Sequence, residues 1–258
     1  MSEHPGNLVP VNHVEPVPRR VRATMGGRTA FDTTNARYVW EWPAFPQYYV
    51  PAADVAPGLL VNEDLTEDTA QGKVAVHGIS AGETYHRGVA RIVIDPVVPE
   101  LMETVRFDWS AFDAWFEEDE QVFVHPRSPY TRVDALRSTR HVRVELHGEV
   151  LAESSSPILL FETGLPTRYY LNRTDVDFTH LVPSDTVTSC PYKGTTTGYW
   201  SAQVGDRTHP DVAWTYNFPL REVQPIAGLV AFYNEKVDTF VDGVKEERPR
   251  THFSRAAD

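Results

Sequence analysis

The sequence predicts an all-β protein made of two tandem antiparallel β-domains with little helix. Three observations predict it. A set of unlike residues recurs at one fixed spacing. Short runs alternate apolar and polar residues, the period of a half-buried strand. Twenty prolines are spread along 258 residues, which argues against long helices.

Val21-Arg22 returns as Val142-Arg143 and Gly27 as Gly148, 121 positions on. At the same offset Asp32-Thr33 faces Glu153-Ser154, Glu41 faces Glu162, Tyr48-Tyr49 faces Tyr169-Tyr170, and Asp54-Val55 faces Asp175-Val176. Further on, V-R-F at 105–107 faces V-A-F at 230–232, now 125 apart, and Asp113, Trp115 and Phe116 are set against Asp238, Phe240 and Val241 at that offset. Such a period marks a duplication. The expected boundaries are a flexible, proline-rich arm at 1–18, a first copy at 19–125, a connector at 126–137, a second copy at 138–245 and a tail at 246–258.

In the first copy, Ala36–Trp42, Lys73–Gly78, Val89–Ile94 and Glu103–Trp109 read as strands. Ala111, Phe112, Trp115 and Phe116 have helical spacing, but their counterpart V-D-T-F-V-D-G alternates and ends in a turn, which favours a strand or hairpin. The connector, with His125, Arg127, Tyr130, Arg132 and Asp134, is expected to dock the copies through arginine–carboxylate contacts, with Glu117, Glu118, Asp119 or Glu120 as partners. Otherwise that acidic run reads as a solvated face. In the second copy, V-R-V-E-L at 142–146 alternates, Leu151–Ser156 and Pro157–Glu162 follow, and Val212–Tyr216, Gly228–Tyr233 and Val237–Val241 complete the set, with N-E-K and D-G as turn signals.

Composition narrows the function. The formal charge is −12, from 24 basic and 36 acidic residues, which repels phosphate backbones and argues against nucleic-acid partners. No run of about 18 apolar residues predicts a membrane span, and the N-terminus lacks signal-peptide features. One cysteine excludes an internal disulfide framework and fits a reducing cytoplasm. The histidines are scattered without H-E-x-x-H, H-x-H or C-x-x-C spacing, so no metal or cofactor is expected; D-V-D at 175–177 is the one paired-carboxylate spacing in the second copy.

The stretch S-D-T-V-T-S-C-P-Y-K-G-T-T-T-G-Y-W at 184–200 has no match in the first copy, where the corresponding region is L-V-N-E-D-L-T-E-D-T-A-Q-G-K-V. It holds the single thiol, Cys190, three residues before Lys193. An ammonium near a thiol favours the thiolate, whereas a free cysteine more often simply packs. K-G-T-T-T-G lacks P-loop spacing, yet its glycines and hydroxyls suit contact with an anion. Arg168 replaces Gln47 of the first copy; it is placed to fork onto a carboxylate or phosphate, or to pair with Glu162. Trp214 and Tyr216 share a strand face, and Trp200 adjoins the loop; aromatic faces stack planar ligands, or fill a core. Where the copies agree, the shared residues read as fold-making; where they differ, function is a candidate.

The motifs W-F-E-E-D-E (115–120), H-P-R-S-P-Y-T-R-V-D (125–134), F-E-T-G-L-P-T-R-Y-Y (161–170), C-P-Y-K-G (190–194), A-F-Y (231–233) and V-D-G (241–243), over about residues 20–245, resemble one known family. It is the family of domain of unknown function 427, in its two-copy form. The resemblance implies a β-tent-like fold, with two antiparallel sheets leaning together over a pocket. Relatives in that fold group bind zinc through cysteines that this chain lacks. A nucleotidyltransferase name attached to the family implies Mg²⁺ held by paired carboxylates, for which the residues give little support.

The expected function is a cytoplasmic small-molecule site in the second copy. Cys190, Lys193 and Glu162 are the candidate catalytic residues; Arg168, Tyr170, Tyr192, Trp200, Trp214 and Tyr216 are the candidate ligand contacts. An enzyme of unassigned reaction and a non-catalytic module for a nucleotide-like or carboxylated ligand are the two readings, with nucleotidyltransferase-like activity a weaker third. Homo-oligomerisation is compatible with all of them.

Overall fold

The computed structural model describes residues 9–251, 253 and 254, so the start of the expected arm and the end of the expected tail lie outside the described residues. The chain divides into two compact units that meet in sequence between Pro129 and Tyr130.

In the first unit the strands are β1 (Val14–Pro16), β2 (Val21–Met25), β3 (Arg28–Thr33), β4 (Arg37–Val39), β5 (Gln47–Pro51), β6 (Leu60–Thr69), β7 (Gly72–Ala81), β8 (Thr84–Pro96), β9 (Thr104–Phe107), β10 (Ala114–Glu117) and β11 (Glu120–Val122). In the second they are β12 (Val133–Arg137), β13 (Val142–Leu146), β14 (Glu149–Ser154), β15 (Ile158–Glu162), β16 (Arg168–Leu171), β17 (Leu181–Ser184), β18 (Ser189–Cys190), β19 (Gly194–Thr195), β20 (Gly198–Val204), β21 (Arg207–Thr215), β22 (Val230–Phe232), β23 (Asp238–Val241) and β24 (Val244–Lys245). Only short 3₁₀ turns interrupt them.

Each unit has a seven-stranded and a four-stranded antiparallel sheet. The large sheets run β1-β4-β5-β9-β8-β7-β6 and β12-β15-β16-β22-β21-β20-β17. The small sheets run β11-β10-β2-β3 and β14-β13-β23-β24. Strand by strand the orders correspond, which is the architecture of a duplication. Even the isolated bridges recur, Phe31 with Val55 and Ala152 with Val176.

Alternation explains the sandwich. In β2 and β13 every second residue is buried: Val21, Ala23 and Met25, then Val142, Val144 and Leu146. These meet the inner face of the large sheet, where Tyr48, Val50, Val105 and Phe107 close the first core and Tyr169, Leu171, Val230 and Phe232 the second. Phe31, Phe107, Phe112 and Trp115 interlock edge to face or stacked at 5.0–5.8 Å. Each fully buried ring contributes about 1.5–3 kcal/mol from area alone.

The register corrects part of the expected repeat. The offset is 121 from β2 to the bridge at Val55, and 125 at β9, where Arg106 corresponds to Ala231. At β10 it is 124: Glu117 sits opposite Val21 as Val241 sits opposite Val142. Trp115 therefore matches Thr239, not Phe240. The cause is one residue fewer between β22 and β23 than between β9 and β10. The region with helical spacing is strand at Ala114–Glu117 after a 3₁₀ turn at Trp109–Ala111.

Three further expectations change. Within the expected arm, Val14–Pro16 pairs with β4, and Val9 and Val17 are buried, so this part is a sheet edge. Within the expected connector, Val133–Arg137 is the edge strand of the second large sheet, paired with β15. The acidic run works inside the first unit: Glu117 is buried, accepting from Arg19 and, at 2.5 Å, from the Tyr48 hydroxyl, while Asp119 holds Arg22 at 2.7 Å. No helix among the described residues is long and apolar enough to cross a membrane.

Candidate functional site

Each large sheet has a second, outer face. In the second unit, cross-strand register lines up Ile158, Tyr170, Ala231, Trp214 and Tyr199 in one row on that face. With Leu160, Tyr216, Val223 and Ile226 they form an apolar cluster separate from the inner core.

Residues 185–197 lie between β17 and β20, where the first copy instead continues β6 and β7 as a long hairpin. The segment contains its own small hairpin, Ser189–Cys190 paired with Gly194–Thr195, closed by the Lys193 amide on the Cys190 carbonyl at 3.3 Å. Gly194 has φ +93°, a conformation that side chains disfavour, so glycine is needed next to Lys193. The hydroxyls expected to cradle an anion serve the loop itself. Thr195 bonds Ser189 at 2.9 Å, Thr196 donates to the Thr188 carbonyl at 3.1 Å, and Thr197 donates to the Thr215 carbonyl at 3.4 Å.

This turn carries Lys193 inward. Its ammonium is buried and donates to Glu162 Oε2. Burial opposes the charge, but Glu162, with smaller help from Cys190 and Tyr170, holds the lysine pKa above its ordinary value. Lysine has three N–H donors; Glu162 is the one side-chain acceptor they meet among the described residues. Burial pushes the Cys190 thiol up, Lys193 only partly offsetting it. Of the two readings of this residue, a raised pKa fits the packed thiol and not the thiolate. Burial likewise pushes Tyr170 up to about 12, and its hydroxyl accepts from Trp214 Nε1 at 3.3 Å. Tyr216 is raised by burial and by Tyr170 and Cys190. Its hydroxyl has no hydrogen-bond partner among the described residues.

A second buried pair adjoins across Trp214. Arg168 forks onto Glu235 at 2.6 and 2.8 Å and bonds Asn234 at 3.2 Å. Its guanidinium lies 5.8 Å from the Trp214 ring centre, 5.6 Å from that of Tyr233 and 5.5 Å from that of Phe253. Thr251 adds a 2.6 Å bond to Glu235. Burial resists ionisation of Glu235, but the Arg168 bonds hold its pKa below the usual carboxylate value. Arg168 thus has an internal partner, and that partner is Glu235, not Glu162.

The structure therefore brings Glu162, Tyr170, Cys190, Lys193 and Tyr216 together, with Trp214 beside them. Tyr192 is half-buried in the turn. Trp200 is elsewhere: it belongs to the inner core, against Phe178 and 5.3 Å from the Arg173 guanidinium. Strand alternation sends Trp200 to one face and Tyr199 to the other, so closeness in sequence to the loop misled. Tyr199 and Tyr233, whose hydroxyls share a 2.7 Å bond, and Glu235 join the cluster from outside the candidate contacts. For Tyr199 the signal was that same alternation; Glu235 sat in N-E-K, which reads as a plain turn. The D-V-D carboxylates fix backbone and loop: Asp175 accepts from Ser154 as Asp54 accepts from Thr33, and Asp177 binds Thr179.

The same row in the first unit reads Arg37, Tyr49, Arg106, Arg91 and Val76. Beside it lies a cavity of 320 Å³ lined by Glu41, Tyr49, Thr69, Gln71, Val74, Arg91, Arg106 and Asp108. Glu41, which the repeat suggested was merely fold-making, stands there at the position of Glu162.

The model of the family described as a domain of unknown function (DUF427) matches residues 13–118 and again 134–243. The chain belongs to that family and carries its domain twice. No curated protein matches it.

Proposed function

We propose that this two-copy DUF427 protein is a cytoplasmic small-molecule-binding module whose second copy takes a carboxylated or nucleotide-like ligand beneath the 185–197 loop. One observation carries the reading: among the described residues a buried ammonium, Lys193, has a single side-chain acceptor, Glu162, for its three donors. Unmet polar groups in a low-dielectric setting are costly, and a ligand oxygen would meet them. The Tyr216 hydroxyl and the Cys190 thiol supply two more polar contacts of the same cluster. Burial, which pushes the Cys190 thiol pKa up, supports binding over thiolate catalysis. The acidic balance supports a small ligand over nucleic acid, and the unpaired cysteine supports a reducing compartment.

The test is thermal shift of the full chain against carboxylated metabolites and nucleotides, with and without Mg²⁺. A ligand that binds only the folded state raises Tm by mass action. A metal-independent hit that weakens in Tyr216→Phe and is lost in Lys193→Met supports the reading. A hit that needs Mg²⁺ would favour nucleotidyl transfer. Product formed from a hit by the wild type but not by Cys190→Ser would convert the module into an enzyme. Hits that survive both Lys193→Met and Tyr216→Phe would sink the site as drawn.

A further inference from the structure

The cavity of the first copy is a different chemical object. On β8 and β9, Arg91 and Arg106 are direct cross-strand partners. Like charges directly opposite one another are unfavourable on a sheet, and the second copy puts Trp214 and Ala231 at these places. The arginines are held side by side by one shared carboxylate, with a further acid on each. Asp108 Oδ1 accepts from both, at 3.4 Å from Arg91 Nη1 and closer from Arg106 Nη1. Glu41 Oε1 accepts from Arg106 Nε at 3.2 Å and from the Tyr49 hydroxyl at 2.9 Å. Arg91 Nε reaches Glu67 at 3.3 Å.

These bonds leave a defined remainder. Among the described residues, Arg91 Nη2 and Arg106 Nη2 have no hydrogen-bond acceptor, and Glu41 Oε2 and Asp108 Oδ2 have no donor. Two fixed cationic donors and two anionic acceptors thus line one cavity, with Glu67 a further acid behind Arg91. Its 320 Å³ is at the small end of the roughly 300–1,000 Å³ usual for ligand sites. A bare anion would find the carboxylates opposing it, and a bare cation the arginines. A molecule carrying both signs meets every free group.

We propose that the first copy holds a second ligand site, for a small zwitterion of the α-amino-acid type. Its carboxylate is received by Arg91 and Arg106, and its ammonium by Glu41 and Asp108. Arginine suits the first role because its planar fork matches a carboxylate. This site is independent of the one proposed under the 185–197 loop.

The test is a titration of the full chain followed by the arginine Nε–H NMR signals and by calorimetry. The probes are free α-amino acids, the matching 2-hydroxy acids, the matching amines, glucose and inorganic phosphate. The expected result is saturable movement of the Arg91 and Arg106 signals by amino acids, with at least about tenfold weaker binding of hydroxy acids and amines. Arg106→Gln and Arg91→Gln should each weaken amino-acid binding at least about tenfold; should a variant fail to fold, the wild-type signals decide. Unmoved Arg91 and Arg106 signals with every probe at millimolar concentration would overturn the site. Phosphate, hydroxy acid or glucose binding as tightly as the amino acids would overturn the zwitterion assignment. Movement confined to Arg168 would place the ligand in the second copy instead, and so fail this proposal without touching the other.

Discussion

The two outer faces show one scaffold finished in two ways. Across five corresponding strands the first copy has Arg37, Tyr49, Arg106, Arg91 and Val76, and the second has Ile158, Tyr170, Ala231, Trp214 and Tyr199. Only the tyrosine is kept. The second copy fills its face with rings, covers it with a loop, and buries both of its ion pairs. The first leaves charge on view: the side chains of Arg91 and Arg106 are 29% and 22% exposed, against 6% for Arg168 and 0% for Glu235. The sheet order that defines the fold tolerates both, because packing of the inner core decides it.

The comparison breaks most visibly at Glu235. Glu235→Gln leaves the Arg168 charge buried and unpaired, and should cost about 3–5 kcal/mol in urea unfolding. That contribution is fully present above the unfolded carboxylate value of about 4.3 and is lost as pH falls through the depressed folded value. Replacing Gly194 by Ala, which forces a side chain to φ +93°, should cost about 1–2 kcal/mol and loosen the turn bearing Lys193. In the first copy Glu41→Gln should cost within about 1 kcal/mol, because water screens its partly exposed pair with Arg106. A cost equal to that of Glu235→Gln would erase the contrast between the faces. The smallest effect is at Cys190. Its raised pKa means that the folded protein keeps a proton the unfolded chain gives up above about 8.5. The associated stability is complete below that pH and declines above it, so Cys190→Ala should flatten part of the alkaline loss in denaturation midpoints.

The fold was legible because strands and duplication leave periodic marks. V-R-V-E-L predicts β13 to the residue, and matched pairs such as Asp54 and Asp175 do in both copies the structural task their agreement implied. One segment sets part of the cluster in the second copy: Lys193, with Cys190 beside it, is carried to Glu162 and Tyr170. What escaped was long-range pairing. The partner that occupies Arg168 lies 67 residues away at Glu235. V-R-F and V-A-F are alike in pattern, yet the arginine in the one and the alanine in the other mark the difference between an open and a filled face. Face assignment failed at Trp200 for want of the register that places Tyr199 outward.

The two large sheets end in edge strands of very different length. β6 is the last strand of its sheet and runs for ten residues, so its outer backbone is a template on which a foreign strand could dock. Asp64 and Asp68 stand exposed along it, while Glu63 is held by Arg87 and Glu67 by Arg91; a strand bringing like charge to the two exposed acids is repelled. The second copy guards the equivalent edge by brevity: β17 has four residues, and Pro183 among them has no N–H to offer. The loop that folds Lys193 inward thus goes with a short edge strand, while the long hairpin that takes its place in the first copy ends its sheet in a ten-residue one.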